Sequence, residues 1–357
     1  MSRLRPEYHK FKSRLSPKKL DKLLESGYFR GANVMYQFQV NCLDGFLDDN
    51  ISIRLPLKDY HPSKHIRKIA HRVEREFTVK IGVAFIDDRK NNLFVAHSKR
   101  HSGYKAESIE DLLYGDNPFD VFNTYQVEVF HGARLIAFSL FDVGKKSIAS
   151  LTGVFDAEYS KYSLGIYTMY AEIQWGIRED FDYYYPGHIF NRNKLFDYKL
   201  RLGKYEYLDG EDNTWKEFVQ KEDLNLAGKH ILQKLKDISR LLEDFHIIHE
   251  LRVYPYYSMG YYSTNIASSF VKSPANLFLP ELSDNSKKVI VEYNLDNGNY
   301  ILAFIKLNKN IVTNQEQNDL NQIIQRQHEW DGYYEYITIS SFQNPKALIN
   351  KILDIRS

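Results

Sequence analysis

Hydrophobic and polar positions are spaced differently in different parts of the chain, and this spacing separates the predicted helices from the predicted strands. Residues 17–27 place three leucines on one face of a helix that a glycine ends. Residues 33–41 and 51–57 alternate with a period of two, which predicts strands. A helix that Ser63 caps is predicted next, within residues 58–75.

The middle of the chain predicts a meander of strands, then a helix, then a further strand. Strand-like stretches cover residues 124–131, 133–144 and 146–156, and glycine-containing turns separate them. The next helix covers about residues 163–178, and its apolar positions recur at helical spacing, so one face belongs to the core. Residues 182–190, DYYYPGHIF, are predicted as a buried strand. This order predicts an α+β fold in which a helix crosses between strands.

The pattern changes after about Asp212. Residues 228–245 predict a strongly amphipathic helix, and residues 287–307 predict a hairpin with an Asp-Asn-Gly turn. The tyrosine-rich residues 251–265 are predicted as a loop, and residues 314–330 as a helix with a polar face. A short helix is predicted at the end. The last part of the chain is therefore expected to be a separate α+β unit.

The composition leaves room for a nucleic-acid site only as a local patch. Of the 357 residues, 43% are hydrophobic and 26% charged, which is typical of a globular protein, and the formal net charge is only +2. The helix within residues 58–75 concentrates cationic and histidine side chains: Lys64, His65, Arg67, Lys68, His71, Arg72 and Arg75. Such a run is either a solvated helix face or a face that contacts phosphates, and both interpretations stay open.

Cys42 is the only cysteine, which excludes an internal disulfide and an all-cysteine metal site. One free cysteine fits a reduced, cytoplasmic compartment. The first residues lack the apolar run of a signal peptide, and no apolar run is long enough to cross a bilayer. We therefore expect no membrane partner.

The segment VFDAEYSKYSLGIYTMYAEIQWGIREDFDYYYPGHIF resembles the core of the aminoacyl-tRNA–protein transferases, the arginyl-transferases and bacterial aspartate/glutamate leucyltransferases of the N-degron pathway. The shared pattern is Phe-Asp, Ser-Leu-Gly-x-Tyr, a helix with a tryptophan, Tyr-x-Tyr-x-Gly, and a Met-x-Tyr-Lys box whose methionine is replaced here. The matching positions are Phe155, Asp156, Ser163, Leu164, Gly165, Tyr167, Trp175, Tyr183, Tyr185, Gly187, Tyr198 and Lys199. The upstream segments LLESGYFRGANVMYQF, ISIRLPLKDYHPSKHIRKIAHR and KRHSG are also similar, so the resemblance covers about residues 18–210.

The resemblance implies a fold, a division of the chain and a reaction. The fold is the GNAT (N-acetyltransferase-like) α+β fold, a mixed sheet with flanking helices, followed by a C-terminal α+β extension. The implied division is an N-terminal region with a tRNA-contacting helix over residues 1–85, the transferase core over 86–212 and a domain of unknown role over 213–357. The reaction transfers arginine or leucine from aminoacyl-tRNA to the α-amine of a protein with an acidic N-terminal residue, without a cofactor. The family's N-terminal cysteine motifs are absent, so we expect no metal ion, and Tyr104-Lys105 interrupt its glycine-rich loop.

The resemblance also implies roles for individual residues. The implied catalytic residues are Asp156, Tyr185 and Tyr198. The implied substrate-binding residues are Ser163, Leu164, Gly165, Tyr167, Gly187, Lys199 and His101. The implied tRNA-binding residues are Arg54, Lys64, Arg67, Lys68 and Arg72. Backbone N–H groups at the helix start would meet the terminal nucleotide of the tRNA, and tyrosines would stack on its adenine or hydrogen-bond the ester.

Structural roles are the alternatives for several of these residues. Trp175 is expected to pack in the core, at least one of Tyr183 and Tyr185 to be packing only, and Asp156 equally fits a capping role before the helix. His101 is a lone histidine and is not assigned as a base. Two further functions stay open for the whole chain: a GNAT-fold N-acyltransferase that uses acyl-CoA, and a non-catalytic relative that binds tRNA or protein.

Overall fold

The structure is a computed structural model, and it describes residues 4, 7–43, 45–100, 106–254, 257, 273–284, 286–307 and 334–356. It confirms an α+β fold that is built around a mixed sheet. The helices of the described residues are α1 (Pro17–Glu25), α2 (Lys64–Glu76), α3 (Asp88–Ser98), α4 (Ile109–Tyr114), α5 (Leu164–Arg178), α6 (Ala227–Asp244) and α7 (Pro345–Arg356).

The strands fall into an N-terminal, a central and a C-terminal group. They are β1 (Glu7–Lys10), β2 (Phe29–Gly31), β3 (Val34–Gln37), β4 (Val40–Leu43), β5 (Phe46–Pro56), β6 (Thr78–Val83), β7 (Thr124–His131), β8 (Arg134–Val143), β9 (Ser147–Phe155), β10 (Tyr183–Tyr185), β11 (His188–Phe190), β12 (Glu206–Leu208), β13 (Trp215–Glu217), β14 (Glu250–Val253), β15 (Ala275–Leu279), β16 (Lys288–Asn294), β17 (Asn299–Leu307) and β18 (Tyr334–Phe342). Short 3₁₀ helices cover Ala157–Tyr162 and Asp197–Leu202.

Each strand group forms a sheet. Strands β1, β3 and β2 pair in a small antiparallel sheet. The central sheet has the order β13-β12-β5-β10-β9-β8-β7-β6, and β4 and β11 also pair with β5. Strands β14 to β18 form an antiparallel sheet in chain order. In the central sheet β10 is parallel to β9 and antiparallel to β5, which makes this sheet mixed.

Side-chain caps explain where the first helices begin. Ser16 Oγ accepts a hydrogen bond from the Lys19 N–H at the start of α1. Ser63 Oγ accepts one from the Ile66 N–H at the start of α2, which confirms the predicted cap. Such bonds satisfy N–H groups that have no partner inside the helix.

Helix α5 connects β9 to β10 and packs on the sheet and on α2. Its apolar side chains Leu164 and Ile173 are fully buried in a core that takes side chains from β5, α2, β7, β8 and β9. The Trp175 ring lies 5.1 Å from the ring of Tyr125 and 5.2 Å from that of Phe141, centroid to centroid. Trp175 therefore packs against the sheet, as expected.

The C-terminal sheet and helices share a core with β4 and β5 of the central sheet. Val40 and Leu47 of β4 and β5 are buried in the cluster that α6, α7 and β15 to β17 form. The carboxylate of Asp49 on β5 accepts hydrogen bonds from the N–H groups of Gly228, at 2.6 Å, and Lys229, at 3.1 Å, and so caps α6. The C-terminal part is therefore joined to β5 by apolar packing and by this cap.

The structure differs from the sequence predictions at several places. Residues 33–41 form two strands in different sheets, and residues 182–190 form β10 and β11 with a break between them. Strand β6 and helix α3 were not predicted. The helix predicted over 314–330 and most of the loop predicted over 251–265 lie outside the described residues. The division at residues 85 and 212 stays a prediction.

Candidate active site

Strands β9 and β10 pair at one end only and then separate. Tyr183 to Tyr185 pair with Ser147 to Ala149, and the chain then leaves β9 and follows β5 through β11. Pro186 has no N–H for a further ladder bond, and Gly187 takes a φ of +89°, which favours glycine. Among the residues that the structure describes, the second half of β9 therefore has no strand partner on this side, and a gap opens in the sheet.

A cavity of about 750 Å³ occupies this gap. Its walls come from β9, the start of α5, the turn between β10 and β11, and the 3₁₀ helix with Tyr198 and Lys199. Side chains of α1, β2, β3 and α3 complete it, together with Trp215. Of the residues that the resemblance implicates, it brings together Ser163, Leu164, Gly165, Tyr185, Gly187, Tyr198 and Lys199.

The N-terminus of α5 opens into this cavity. Ser163 has the left-handed φ and ψ of 56° and 44°, and its side chain makes no cap hydrogen bond. The N–H groups of Leu164 and Gly165 are in the first turn, so they have no acceptor inside the helix. A Cβ on Gly165 would lie in ordinary contact with the Phe155 ring, at 3.7 Å, so the fold itself leaves room there. This helix end can donate hydrogen bonds to an anionic ligand.

Lys199 is a buried cation on the opposite side of the gap. Its Nζ donates a hydrogen bond to the His188 carbonyl oxygen at 3.1 Å and lies 4.4 Å from the centroid of the Phe196 ring. Burial lowers the pKa of the Lys199 ammonium to about 7. Burial and this neighbouring lysine also lower the pKa of the His188 imidazole, to about 3, so His188 is neutral at pH 7.

Two of the tyrosines that line the cavity were implicated by the resemblance, Tyr185 and Tyr198. Tyr185 is 6% exposed, and burial raises its pKa to about 12, so its hydroxyl keeps its proton at neutral pH. Arg54 Nη1 donates a hydrogen bond to this hydroxyl at 3.4 Å. The guanidinium carbon of Arg54 lies 4.0 Å from the centroid of the Tyr183 ring. Tyr198 is 40% exposed and lies at the cavity wall.

Asp156, Tyr167 and Arg54 do not line the cavity. The Asp156 carboxylate accepts a hydrogen bond from the Glu158 N–H at 3.0 Å and pairs with Arg134, so it has the capping role. The Tyr167 hydroxyl donates to Glu74 Oε1 at 3.3 Å, in the interface between α5 and α2. Arg54 is 8% exposed and pairs with Glu206 at 2.7 Å, so it is not part of an exposed basic surface. His101 lies outside the described residues.

Helix α2 presents the expected cations to solvent. Lys64, Arg67 and Lys68 are exposed, whereas the apolar side of the helix, with Ile66 and Val73, is buried. Arg72 is half-buried, and its guanidinium lies 5.3 Å from the Tyr162 ring centroid. Tyr162 immediately precedes Ser163, so the C-terminal end of α2 lies beside the start of α5. The exposed cations Lys64, Arg67 and Lys68 are in the N-terminal half of α2.

Sequence reasoning missed a buried carboxyl group behind the cavity. Glu172 on α5 is fully buried, and the Tyr184 hydroxyl donates to its Oε2 at 2.8 Å. Burial raises the pKa of Glu172 to about 7, although hydrogen bonds from Ser139, Tyr184 and Ser150 lower it. The only signal in the sequence is a glutamate at a position that the helical period assigns to the buried face.

Ion-ligand clusters and membrane spans are not found in the described part of the chain. No group of three or more histidine, cysteine, aspartate or glutamate side chains in those residues is arranged to hold a metal ion. None of the described helices is both long enough and apolar enough to cross a membrane.

Known proteins resemble the part of the chain that holds this site. Residues 59–209 match the family described as arginine-tRNA-protein transferase, C terminus. The aspartate/glutamate leucyltransferase of Leptospira interrogans is 20% identical over 198 residues, which are 54% of this chain and 75% of the relative. That of Stenotrophomonas maltophilia is 23% identical over 181 residues, which are 48% of this chain and 71% of the relative.

Among the solved structures that this chain matches is the C-terminal domain of a putative lysylphosphatidylglycerol synthetase from Agrobacterium fabrum. It is 13% identical, and the match covers 49% of this chain and 52% of that chain with a TM-score of 0.30. The match thus spans about half the length of each of the two chains.

Proposed function

We propose that this chain, whose residues 59–209 belong to the arginine-tRNA-protein transferase family, transfers an amino acid from aminoacyl-tRNA to the N-terminal α-amine of an acceptor protein. The amino acid is arginine or leucine, the acceptor begins with an acidic residue, and the setting is the N-degron pathway. The observation that carries this proposal is the cavity where β9 and β10 separate, because the start of α5, Tyr185, Tyr198 and Lys199 all line it.

The arrangement of strands around the cavity supports a GNAT-like fold for the core. A helix that connects two parallel strands, which then separate beside the start of that helix, leaves a site for an acyl donor at the gap. The N–H groups of Leu164 and Gly165 would bind the terminal phosphate–adenosine unit of the tRNA. The exposed cations of α2 would bind the acceptor stem through its phosphates, which fixes position without reading sequence.

The reaction requires that the protein orient the two substrates and stabilise the negative charge that develops on the ester oxygens. The acceptor nitrogen bonds to the ester carbonyl carbon, the bond from that carbon to the ribose oxygen breaks, and a proton passes from the nitrogen to that oxygen. A free α-amine has a pKa near 8, so a fraction is already neutral at pH 7. The Tyr185 and Tyr198 hydroxyls are proposed to donate hydrogen bonds to the ester oxygens, where negative charge develops.

Lys199 is proposed to bind the acidic side chain of the acceptor. Its ammonium has no carboxylate of the described residues to offset the burial that lowers its pKa. A carboxylate from the acceptor would supply that partner and favour the charged lysine. This pairing would bring the acceptor's α-amine toward the ester that the start of α5 holds.

The proposal is tested by measuring whether the purified full chain transfers an amino acid from charged tRNA to a peptide. Leucyl-tRNA and arginyl-tRNA are each incubated with a peptide that begins with aspartate, and mass spectrometry follows addition to its N-terminus. We expect product with at least one donor. Absence of product with both, while a bacterial leucyltransferase works on the same reagents, would refute the proposal.

Matched tyrosine variants connect activity to the cavity. Tyr185→Phe removes a hydroxyl from the cavity wall, and we expect it to lower kcat. Tyr159→Phe removes one that lies 2.9 Å from His131 Nδ1, away from the cavity, and we expect wild-type transfer. Equal kcat for the two variants would show that Tyr185 has no part in the mechanism.

Added acetyl-CoA should not raise the melting temperature of the protein, and a rise would favour the acyl-CoA alternative.

A further inference from the structure

Strand β9 becomes irregular at the point where it loses its partner β10. The last residue of β9 that pairs with β10 is Ala149. On the side of β8, residues 140 and 141 pair with Thr152 and Ser150, so Leu151 is the extra residue of a β-bulge. A bulge bends its strand and redirects the side chains beside it. Ser150 is therefore the first residue of β9 at the gap, and it is half-buried in the cavity wall.

The carboxyl group of Glu172 lies behind this wall, and its hydrogen bonding is incomplete. Glu172 is fully buried, and its Oε2 accepts a hydrogen bond from the Tyr184 hydroxyl at 2.8 Å. Among the described residues, no donor of good hydrogen-bond geometry reaches Oε1. The Ser139 and Ser150 hydroxyls also act on this carboxyl and lower its pKa. Ser139 is fully buried, whereas Ser150 lines the cavity, so Ser150 connects Glu172 to the cavity.

A transfer reaction in this cavity needs a group that can hold a proton briefly. Such a group works best when its pKa is close to the working pH. Burial raises the pKa of Glu172 to about 7, whereas the His188 imidazole, with a pKa lowered to about 3, is a much weaker base. The carboxylate of Asp142 is held by Arg30 Nη1 at 2.6 Å and by Thr124 Oγ1 at 2.8 Å. Glu172 is therefore the better proton acceptor.

The groups that face Glu172 leave its titration undisturbed near neutral pH. Burial and the charge of Glu172 raise the pKa of Tyr184 on β10 and of Tyr198 on the 3₁₀ helix, so both hydroxyls keep their protons. Within the described ranges, no ammonium or guanidinium is among the groups that lower the pKa of Glu172. The pKa of Lys199 is also about 7, but a carboxylate bound from the acceptor would keep it protonated and unable to take another proton.

We propose that Ser150 and Glu172 form a proton relay for the transfer reaction. This inference rests on the proposed function and adds the route of the proton. While the acceptor nitrogen bonds to the ester carbonyl carbon, Ser150 Oγ takes a proton from that nitrogen and passes its own hydroxyl proton to Glu172 Oε1. When the bond from that carbon to the ribose oxygen breaks, Glu172 returns the proton to Ser150, whose hydroxyl proton passes to the ribose oxygen. Both side chains end as they began, and Glu172 acts without touching the substrates.

The first experiment measures single-turnover product formation between pH 6 and 9, with the full chain in excess over the leucyl- or arginyl-tRNA that the wild type uses. Glu172→Gln keeps an acceptor for the Tyr184 hydroxyl but cannot take the proton. We expect its rate constant at pH 8 to be about 100-fold lower, with unchanged affinity for both substrates.

The pH dependence separates a relay from a structural role of Glu172. Titration of the acceptor amine and of Lys199 is common to both proteins and cancels in the wild-type-to-variant ratio of rate constants. This ratio should rise as the pH increases through about 7, because only the ionised carboxylate accepts a proton. A wild-type rate for Glu172→Gln, or a ratio that does not change with pH, overturns the relay and leaves the transfer reaction intact.

The second experiment compares two serines that both act on Glu172, only one of which lines the cavity. Ser150→Ala should lower the single-turnover rate constant at least about tenfold. Ser139→Ala should reach the wild-type rate at pH 9, with its pH midpoint shifted upward because the carboxylate loses a stabilising hydroxyl. An equal loss in both variants overturns the relay.

Unfolding midpoints show whether each variant folds, and the two serine variants decide the question if Glu172→Gln does not. Absence of product from the wild-type chain with both donors contradicts the transfer reaction itself and the relay with it.

Discussion

Among individual residues, Lys199 combines burial, a place at the cavity and a pKa near neutrality. The free ammonium loses its proton as the pH rises through about 7. We therefore predict that KM for an acceptor beginning with aspartate increases above pH 7, because the neutral amine no longer attracts the carboxylate. Steady-state kinetics between pH 6 and 9 measures this, with kcat analysed separately because the acceptor's own amine titrates in the same range.

The matched control for Lys199 is Lys199→Arg. Arginine keeps its charge throughout this range, so its KM should vary less with pH, whereas Lys199→Met should show a high KM at every pH. A wild-type KM that stays constant from pH 6 to 9 would argue against the pairing of Lys199 with the acceptor.

Glu172 gives a second prediction for a single residue. Its pKa in the folded protein is about 7, above the ordinary value of 4.5. Between these values the folded state binds more protons than the unfolded state, so the contribution of Glu172 to stability decreases as the pH rises. Glu172→Gln keeps an acceptor for the Tyr184 hydroxyl and should raise the free energy of unfolding at pH 8 relative to wild type, with a smaller gain at pH 5.

Urea unfolding at the two pH values measures the effect of Glu172→Gln. The control is Glu179→Gln, an exposed residue just after α5, which should show no such difference between the pH values. A gain for Glu172→Gln that is the same at pH 5 and pH 8 would contradict the raised pKa.

Among the helices, α2 is the element whose role outside the core is simplest to test. Arg67→Ala with Lys68→Ala removes two exposed cations, and we predict weaker binding of charged tRNA. The slope of log K against log salt concentration should fall by about one for each lost phosphate contact. The matched control removes Lys236 and Arg240, one lysine and one arginine exposed on α6. Equal loss of affinity in both double variants would show that α2 has no special role.

The elements also show what sequence patterns can and cannot predict. The helical period, the Ser63 cap and the meander β7–β9 follow from local side-chain spacing, and the structure confirms them. Residue types at the start of α5 indicated a helix end, but they did not indicate that Ser163 leaves it uncapped. The separation of β9 and β10 depends on which strand residues 188–190 pair with, and pairing partners are not encoded in local periodicity.

The resemblance also implicated residues whose side chains do not line the cavity. Asp156 and Tyr167 lie close to Ser163 in sequence, yet their side chains point into other contacts, with Arg134 and Glu74. Glu172 was missed because a buried charge is recognised from its surroundings rather than from its neighbours in sequence. The apolar residues of the cavity wall were missed because they are spread from Leu20 to Trp215 along the chain.

In the whole molecule, Asp49 joins the central sheet to the C-terminal part. Burial raises its pKa to about 6, although the N–H groups of Gly228 and Lys229 lower it, so it is mostly ionised at pH 7. We predict that Asp49→Ala lowers the free energy of unfolding by about 1 kcal/mol, since the start of α6 loses its cap. Asp49→Asn keeps one acceptor and should lose less. Denaturant titration at pH 7 measures both, and an Asp49→Ala chain as stable as wild type would show that the cap contributes nothing.

The contribution of the N-terminal elements to the cavity wall has a consequence for engineering. Because α1, β2 and β3 contribute Leu20, Leu24, Phe29 and Met35 to the cavity wall, residues 17–37 could be exchanged between homologues as a cassette while the start of α5, Tyr185 and Lys199 remain untouched. Such chimeras would show whether the N-terminal segment or the rest of the site determines which amino acid is transferred.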